Sequence, residues 1–172
     1  MRTLLILLFG TWLAAGSAGA QPISEYEMKA LYMLNFVSYI EWPEAERESF
    51  NLCTYGDDEM ASNLARFDGR LIGRERVSIA RLTSLGMIRK CQMVFVGERE
   101  IANLQRVANI VADLPVLVVT DIPQLDSASI VLSVSEKRLV FDINFEQCRR
   151  MGLKPNSKLL RLARFVKKPG QP

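Results

Sequence analysis

Short runs rich in β-branched and aromatic residues alternate with helical segments through the middle of this chain, and that alternation decides its architecture. The runs Phe50 to Tyr55, Arg76 to Ile79, Met93 to Val96 and Val116 to Thr120 have the length and composition of strands. Helical segments separate them. The clearest is Glu98 to Val111, where Ile101, Leu104, Val107, Ala108 and Val111 recur at helical spacing. Strands joined through helices lie parallel, so the chain is predicted to be α/β: a mostly parallel sheet with helices on both faces. The C-terminal third changes character. Ile130 to Val134 and Leu139 to Ile143 are separated only by Ser135, Glu136, Lys137 and Arg138, which predicts an antiparallel hairpin. Two helices follow, Phe145 to Met151 stopped by Gly152, and Lys158 to Val166 with Asn156 and Ser157 as candidate caps. There is no internal repeat, low-complexity tract or linker, so residues 21–172 are expected to form a single domain.

Ahead of the alternation, Glu25 to Glu41 reads as a helix that Pro43 ends, because the residue before a proline is pushed out of the helical region. Between Met28 and Ile40 only Lys29, Asn35 and Ser38 are polar. A surface helix carries one apolar stripe; one that is apolar over most of its circumference is central in the core or partly covered by another protein.

The first residues are of a different kind. Arg2, the apolar stretch Leu4 to Leu13 and the small residues Ala18-Gly19-Ala20 form the three regions of a secretory signal, with cleavage expected after Ala20. The apolar stretch falls short of the roughly 20 residues needed to cross a bilayer, and no stop-transfer pattern follows. The mature chain is therefore expected to be exported and to have no transmembrane span. No cysteine lies in the first fifty residues, so a lipid has no site at the mature N-terminus.

Composition narrows the function. The formal charge is +3, and losing Arg2, one charge, lowers it to +2; neither value points to nucleic acid. Histidine is absent, which removes the usual general base near neutral pH and the commonest zinc ligand. Three cysteines in an exported chain imply a disulfide between two of them. Three pairings are open. Cys53 lies in one strand-like run and Cys91 just before another, and adjacent strands would bring them together, so Cys53–Cys91 is the expected bridge. A loop of that span is stabilised by on the order of 4 kcal/mol in the chain-entropy model. Cys148 would then be a buried free thiol.

Few constellations carry chemistry. Asp57 and Asp58 follow the first strand and Asp121 follows Val116 to Thr120, at the strand ends where α/β folds place ligands. Aspartates there can form a phosphoacceptor or magnesium site, yet the same residues commonly cap helices and turns. Gly69 and Gly73 lack the lysine, hydroxyl and spacing of a phosphate loop and read as turn glycines. No Ser-x-x-Lys occurs, and Ser157-Lys158 are adjacent, so a serine nucleophile has no activating base. Along the last helix Lys158, Arg161, Arg164 and Lys168 fall on one side, either a solvated face or a basic surface for anionic lipid or an acidic partner. Tyr26, Tyr32, Phe36, Tyr39 and Trp42 cluster near the N-terminus; Tyr32, Phe36 and Tyr39 recur every three to four residues, so they lie on one strip of a helix.

Several segments resemble one family. Lys29 to Pro43 (KALYMLNFVSYIEWP) is similar to the opening helix and Trp-Pro stop of YfiR-like periplasmic proteins, which include the HmsC regulators. Cys91 to Gly97 (CQMVFVG) is similar to their middle strand, and Asp142-Ile143-Asn144-Phe145, Gly152-Leu153 and Ser157 to Ala163 (SKLLRLA) to their C-terminal signature. The resemblance implies a periplasmic regulator, not an enzyme and without a cofactor. Such a protein binds the periplasmic sensing domain of a membrane diguanylate cyclase and represses it, lowering cyclic di-GMP signalling and biofilm formation. It also implies that the family's strand-to-strand cysteine pair, linked to periplasmic redox state, falls on Cys53 and Cys91. A further pair near the C-terminus of some members has only Cys148 here. The partner contact is expected on Tyr32, Phe36, Tyr39 and Trp42, with Arg161 and Arg164 as a second surface; pairing with a second copy is also open to the chain. The alternative function is a small-molecule sensor using the strand-end crevice near Asp57 and Asp121.

Overall fold

Strands whose side chains are apolar on both faces need cover on both faces, and the chain supplies it with crossover helices. In the computed structural model, which describes residues 23–43 and 47–170, β2 (Phe50–Tyr55), β5 (Met93–Val96) and β6 (Leu117–Thr120) run parallel side by side. Every residue of β5 and β6 is buried. Leu52 pairs with Met93, and Met93 with Leu117, so one row of large side chains crosses the centre of the sheet. The signal segment expected over residues 1–20 lies outside the described residues.

Helix α2 (Asp58–Ala65) carries the chain from β2 to β4 (Glu75–Leu82), and α3 (Ile101–Ile110) carries it from β5 to β6. The first step runs one way along the sheet and the second the other way. Right-handed crossovers therefore place α2 and α3 on opposite faces, as the alternation predicted. The N-terminal helix α1 (Glu25–Tyr39) packs on α2 and covers the α2 face. Its N-cap Ser24 accepts a hydrogen bond from the Glu27 amide at 3.1 Å, and Asp57 does the same for Met60 at 2.8 Å. Ala30, Met33, Leu34, Phe36 and Val37 are buried, so the apolar circumference read in the sequence is spent mainly on the core.

Beyond β6, β7 (Ile130–Ser135) runs parallel to it, and β8 (Arg138–Asn144) returns antiparallel as predicted. The connecting residues Glu136 and Lys137 both have positive φ, 49° and 61°, the backbone of a tight turn usually given to Asn-Gly. Gly73, at φ +62°, closes a second hairpin between β3 (Leu71–Ile72) and β4. Helix α4 (Phe145–Arg150) follows β8, starting from the Asn144 side chain, which accepts from the Gln147 amide.

Several boundaries differ from the sequence expectation: the strand expected over Arg76 to Ile79 extends over Glu75–Leu82, the helix expected over Glu98 to Val111 is α-helical over Ile101–Ile110, and two differences change the type of element. The first helix ends at Tyr39 rather than Glu41, because Ile40–Glu41 (β1) pairs with Lys154–Pro155 (β9). The last helix is shorter than Lys158 to Val166. Helix α5 spans Ser157–Leu162, Ala163 is extended, and Phe165–Lys167 (β10) adds to the sheet edge parallel to β8. Phe165 and Val166 are an aromatic and a β-branched residue, suited to a strand. The Arg164 amide donates to Phe141 O at 2.9 Å and redirects the chain. The basic stripe is broken accordingly, with Lys158 and Arg161 on α5, Arg164 at the bend and Lys168 past the strand.

The bridge joins Cys53 and Cys91, with Cα atoms 6.1 Å apart, and fastens β2 to the chain just before β5. Both are buried, at 1% and 2% exposure. Their separation of 38 residues sets the expected stabilisation at about 4 kcal/mol. The double variant Cys53→Ser, Cys91→Ser should lose that much by urea denaturation; a loss under about 1 kcal/mol would show that the chain-entropy account does not hold here. Cys148, on α4, is free and buried, and burial pushes its thiol up to about 12. At pH 8 it should carry roughly a thousandfold less thiolate than an exposed cysteine and resist alkylation until denaturant is added. Rapid labelling of the native protein would contradict this. Because the folded thiol is held above its unfolded value, its contribution to stability is complete below pH 9.0 and is lost as pH rises toward 12.

Candidate partner-binding surface

One side of α1 is not spent on the core. Tyr32 and Tyr39 are half-buried and Asn35 is exposed, and they face β8 and α5 across a groove of about 230 Å³. Its remaining lining is Phe36, Phe141, Leu159 and Leu162. The aromatic rings meet edge to face: Tyr32–Phe36 at 6.3 Å, Tyr32–Phe141 at 5.9 Å and Phe36–Phe141 at 5.3 Å between centroids. The Tyr32 hydroxyl donates to Leu139 O at 3.0 Å, fixing the ring as one wall. Phe36, only 1% exposed, is the floor.

A basic residue of α5, Lys158, rims this groove. The Lys158 ammonium donates to the Tyr39 hydroxyl at 3.1 Å and lies 4.9 Å from the ring centroid. Arg161, one turn further along α5, is exposed and pairs with no carboxylate among the described residues. Leu162 stands 61% exposed beside it. Arg161 is on α5 but outside the groove's lining, and Tyr32, Phe36 and Tyr39 are brought to one place. Trp42 and Arg164 are not. Trp42 packs on Phe50 at 4.7 Å, donates to Val37 O at 3.3 Å, and lines a separate depression with Gly152 and Lys154. Arg164 forms a bidentate pair with Asp142 on β8, with Nε at 2.9 Å from Oδ1. Phe141, Leu159 and Leu162 were missed as site residues. Leu159 and Leu162 stand at i, i+3, the spacing of an apolar helix side, but only the packing shows that the side is half-covered.

The strand-end crevice is filled by the protein itself. Gly56, at φ +73°, leaves room for the Glu100 side chain, whose Cγ lies 2.0 Å from where a Cβ would stand. Asp57 is used as a helix cap. In front of Asp121 stands Lys29 of α1, 4% exposed, with its ammonium 2.8 Å from Asp121 Oδ2 and 2.8 Å from Glu25 Oε1. Burial pulls the Lys29 pKa down, but its hydrogen bonds to Asp121 and Glu25 outweigh that and leave it above the ordinary lysine value. The Tyr26 ring lies 5.0 Å from the same ammonium, and burial followed by the charge of Asp57 raises its hydroxyl pKa. Among the described residues no group of three or more carboxylates, cysteines or histidines is placed to hold a metal.

Lys29 is therefore a structural tie between α1 and the end of β6. Replacing it with methionine leaves the Asp121 carboxylate, whose side chain is 15% exposed, without its partner and should cost about 3–5 kcal/mol. The double variant Lys29→Met, Asp121→Leu should recover most of that. Urea denaturation of the three proteins measures it, and a single-variant loss below about 1 kcal/mol would mean that the pair is solvated rather than buried.

No helix among the described residues is long and apolar enough to cross a membrane. The family model described as YfiR/HmsC-like matches residues 26–164, which takes in all but the first residue of α1, the parallel strands β2, β4, β5, β6 and β7, the hairpin and α5, and stops just before β10. With more than half of the chain matched, and with the opening helix, the bridged strands and the C-terminal segment in the places just described, the chain belongs to the YfiR/HmsC-like family.

Proposed function

We propose that this chain is a periplasmic regulator that binds the periplasmic sensing domain of a membrane diguanylate cyclase and represses it, lowering cyclic di-GMP signalling and biofilm formation. Family membership carries the reading. The half-open aromatic groove with its basic rim supports it from the side of physics, since Tyr and Arg at a partly covered surface are the residues that anchor protein interfaces. On this reading the contact falls on Tyr32, Phe36 and Tyr39, with the exposed Arg161 of α5 as a second point, while Trp42 and Arg164 lie apart from the groove.

Such a protein needs no catalytic group. It acts by binding one state of its partner better than the other, and a difference of about 1–3 kcal/mol between the two suffices for regulation. The small-molecule alternative at Asp57 and Asp121 loses ground because Lys29, Tyr26 and Glu100 occupy that crevice.

Cellular cyclic di-GMP tests the proposal. Deletion of the chain should raise the nucleotide, and wild type supplied in trans should lower it again. Arg161→Glu, on an exposed side chain, should restore repression poorly while leaving the melting temperature unchanged. An unaltered nucleotide level on deletion would remove the cyclase reading.

A further inference from the structure

The groove described above is one part of a longer feature. A second depression, lined by Met28, Tyr32, Lys137, Arg138, Leu139 and Val140, shares the Tyr32 wall with the first. A third shares Met28, Lys137 and Leu139 with the second and ends at Ile23 and Val134, two apolar residues exposed by 55% and 53%. Together they form a trough along α1. The distance from Met28 to Tyr39 along the helix is roughly 16 Å, three helical turns.

Its charged lining is mostly basic, with Glu25 as the carboxylate at the Ile23 end. Lys137 and Arg138 line one end, and Lys158 rims the other. Lys137, Arg138 and Arg161 are exposed and pair with no carboxylate among the described residues. The carboxylates nearby are committed or stand apart: Glu25 is held by Lys29, Asp142 by Arg164, and Glu136 is on the turn. An apolar floor some three turns long with cations at both ends is complementary to one kind of occupant.

We propose that the trough binds an amphipathic segment of the partner, apolar on one side and carrying Asp or Glu at both ends. Resting on the reading that the partner is a diguanylate cyclase, this places the segment in its periplasmic domain. Residues spaced i, i+4, i+7 and i+11 on such a segment match the spacing of Met28, Tyr32, Asn35 and Tyr39 on α1, the geometry of a helix laid in a groove. The carboxylates set the register, and each exposed cation contributes more to the rate and direction of docking than to its final strength.

Photocrosslinking tests it. The purified chain is made with benzoylphenylalanine at Asn35, at Leu162 or, as a control on the opposite face, at Ala102, all three exposed. Each variant must first match the wild-type melting temperature. It is then expressed in host cells, irradiated, and its products mapped by mass spectrometry. Positions 35 and 162 should join an acid-flanked apolar segment of a cyclase periplasmic domain, and position 102 should not. Adding Lys137→Glu and Arg138→Glu should reduce the yield at position 35 at least fivefold. Products from position 102 alone, or from the trough to a segment without carboxylates, overturn the trough and leave the cyclase reading standing. Joining to a second copy of this chain makes the trough a self-interface and also overturns the proposal. No product from positions 35 and 162 overturns it too; if deletion also leaves cyclic di-GMP unchanged, the cyclase reading falls with it.

Discussion

A parallel sheet buried on both faces cannot stand without two layers of cover, and here one layer depends on α1. The crossovers supply α3 to one face and α2 to the other, but α2 is two turns long and reaches only the β2–β4 side. The rest of that face is closed by α1, through Met33, Leu34, Phe36 and Val37. What holds α1 in place is partly apolar area and partly one buried ion pair, Lys29 with Asp121, which aligns the helix with the carboxyl end of β6. Apolar contacts alone are non-directional and would let the helix slide. A charge pair with so little exposure fixes the register, because every other placement leaves a charge buried without its partner.

That one placement decides both surfaces of interest. With its N-terminal turns over the strand ends, α1 fills the crevice that an open α/β sheet offers to ligands. With its C-terminal turns near β8 and α5, it leaves Tyr32 and Tyr39 half-covered beside a basic rim. The same helix thus closes one potential site and opens another. The observation that Asp121 Oδ1 has no hydrogen-bond partner among the described residues fits a carboxylate held by charge rather than by a full set of donors.

Much of this was legible in the sequence, and the reasons differ by element. The strands Phe50–Tyr55 and Met93–Val96 were readable to the residue because their boundaries are marked by turn residues and their interiors have no competing helical period. The pairing of Cys53 with Cys91 followed from predicting those strands as neighbours. The stretch after Leu162 was misread because Arg164 and Val166 continue a helical pattern, whereas the fold offers β8 an unpaired edge that only Phe165–Lys167 can reach. No local signal encodes that tertiary opportunity. Likewise Lys29 was visible as a lone charge in an apolar helix, but its partner lies 92 residues away and nothing near it in the sequence points there. The aromatic strip was correctly placed on one helix side, yet which ring would be floor and which wall depended on Phe141, a residue of the hairpin.

The groove therefore belongs to no single segment. Its walls come from α1, β8 and α5, joined through Tyr32 to Leu139 and through Lys158 to Tyr39. Of these, β8 is the strand next to the sheet edge, held by β7 on one side and by the short edge strand β10 on the other. Edge elements open at lower free energy than central ones. The bridged strand β2 and its neighbour β5 lie at the centre of the sheet, apart from the groove. A regulator that must hold one state of a partner and release another gains from this division. Its fold rests on the buried sheet and the disulfide, while the groove proposed for recognition is built from elements outside the central parallel strands.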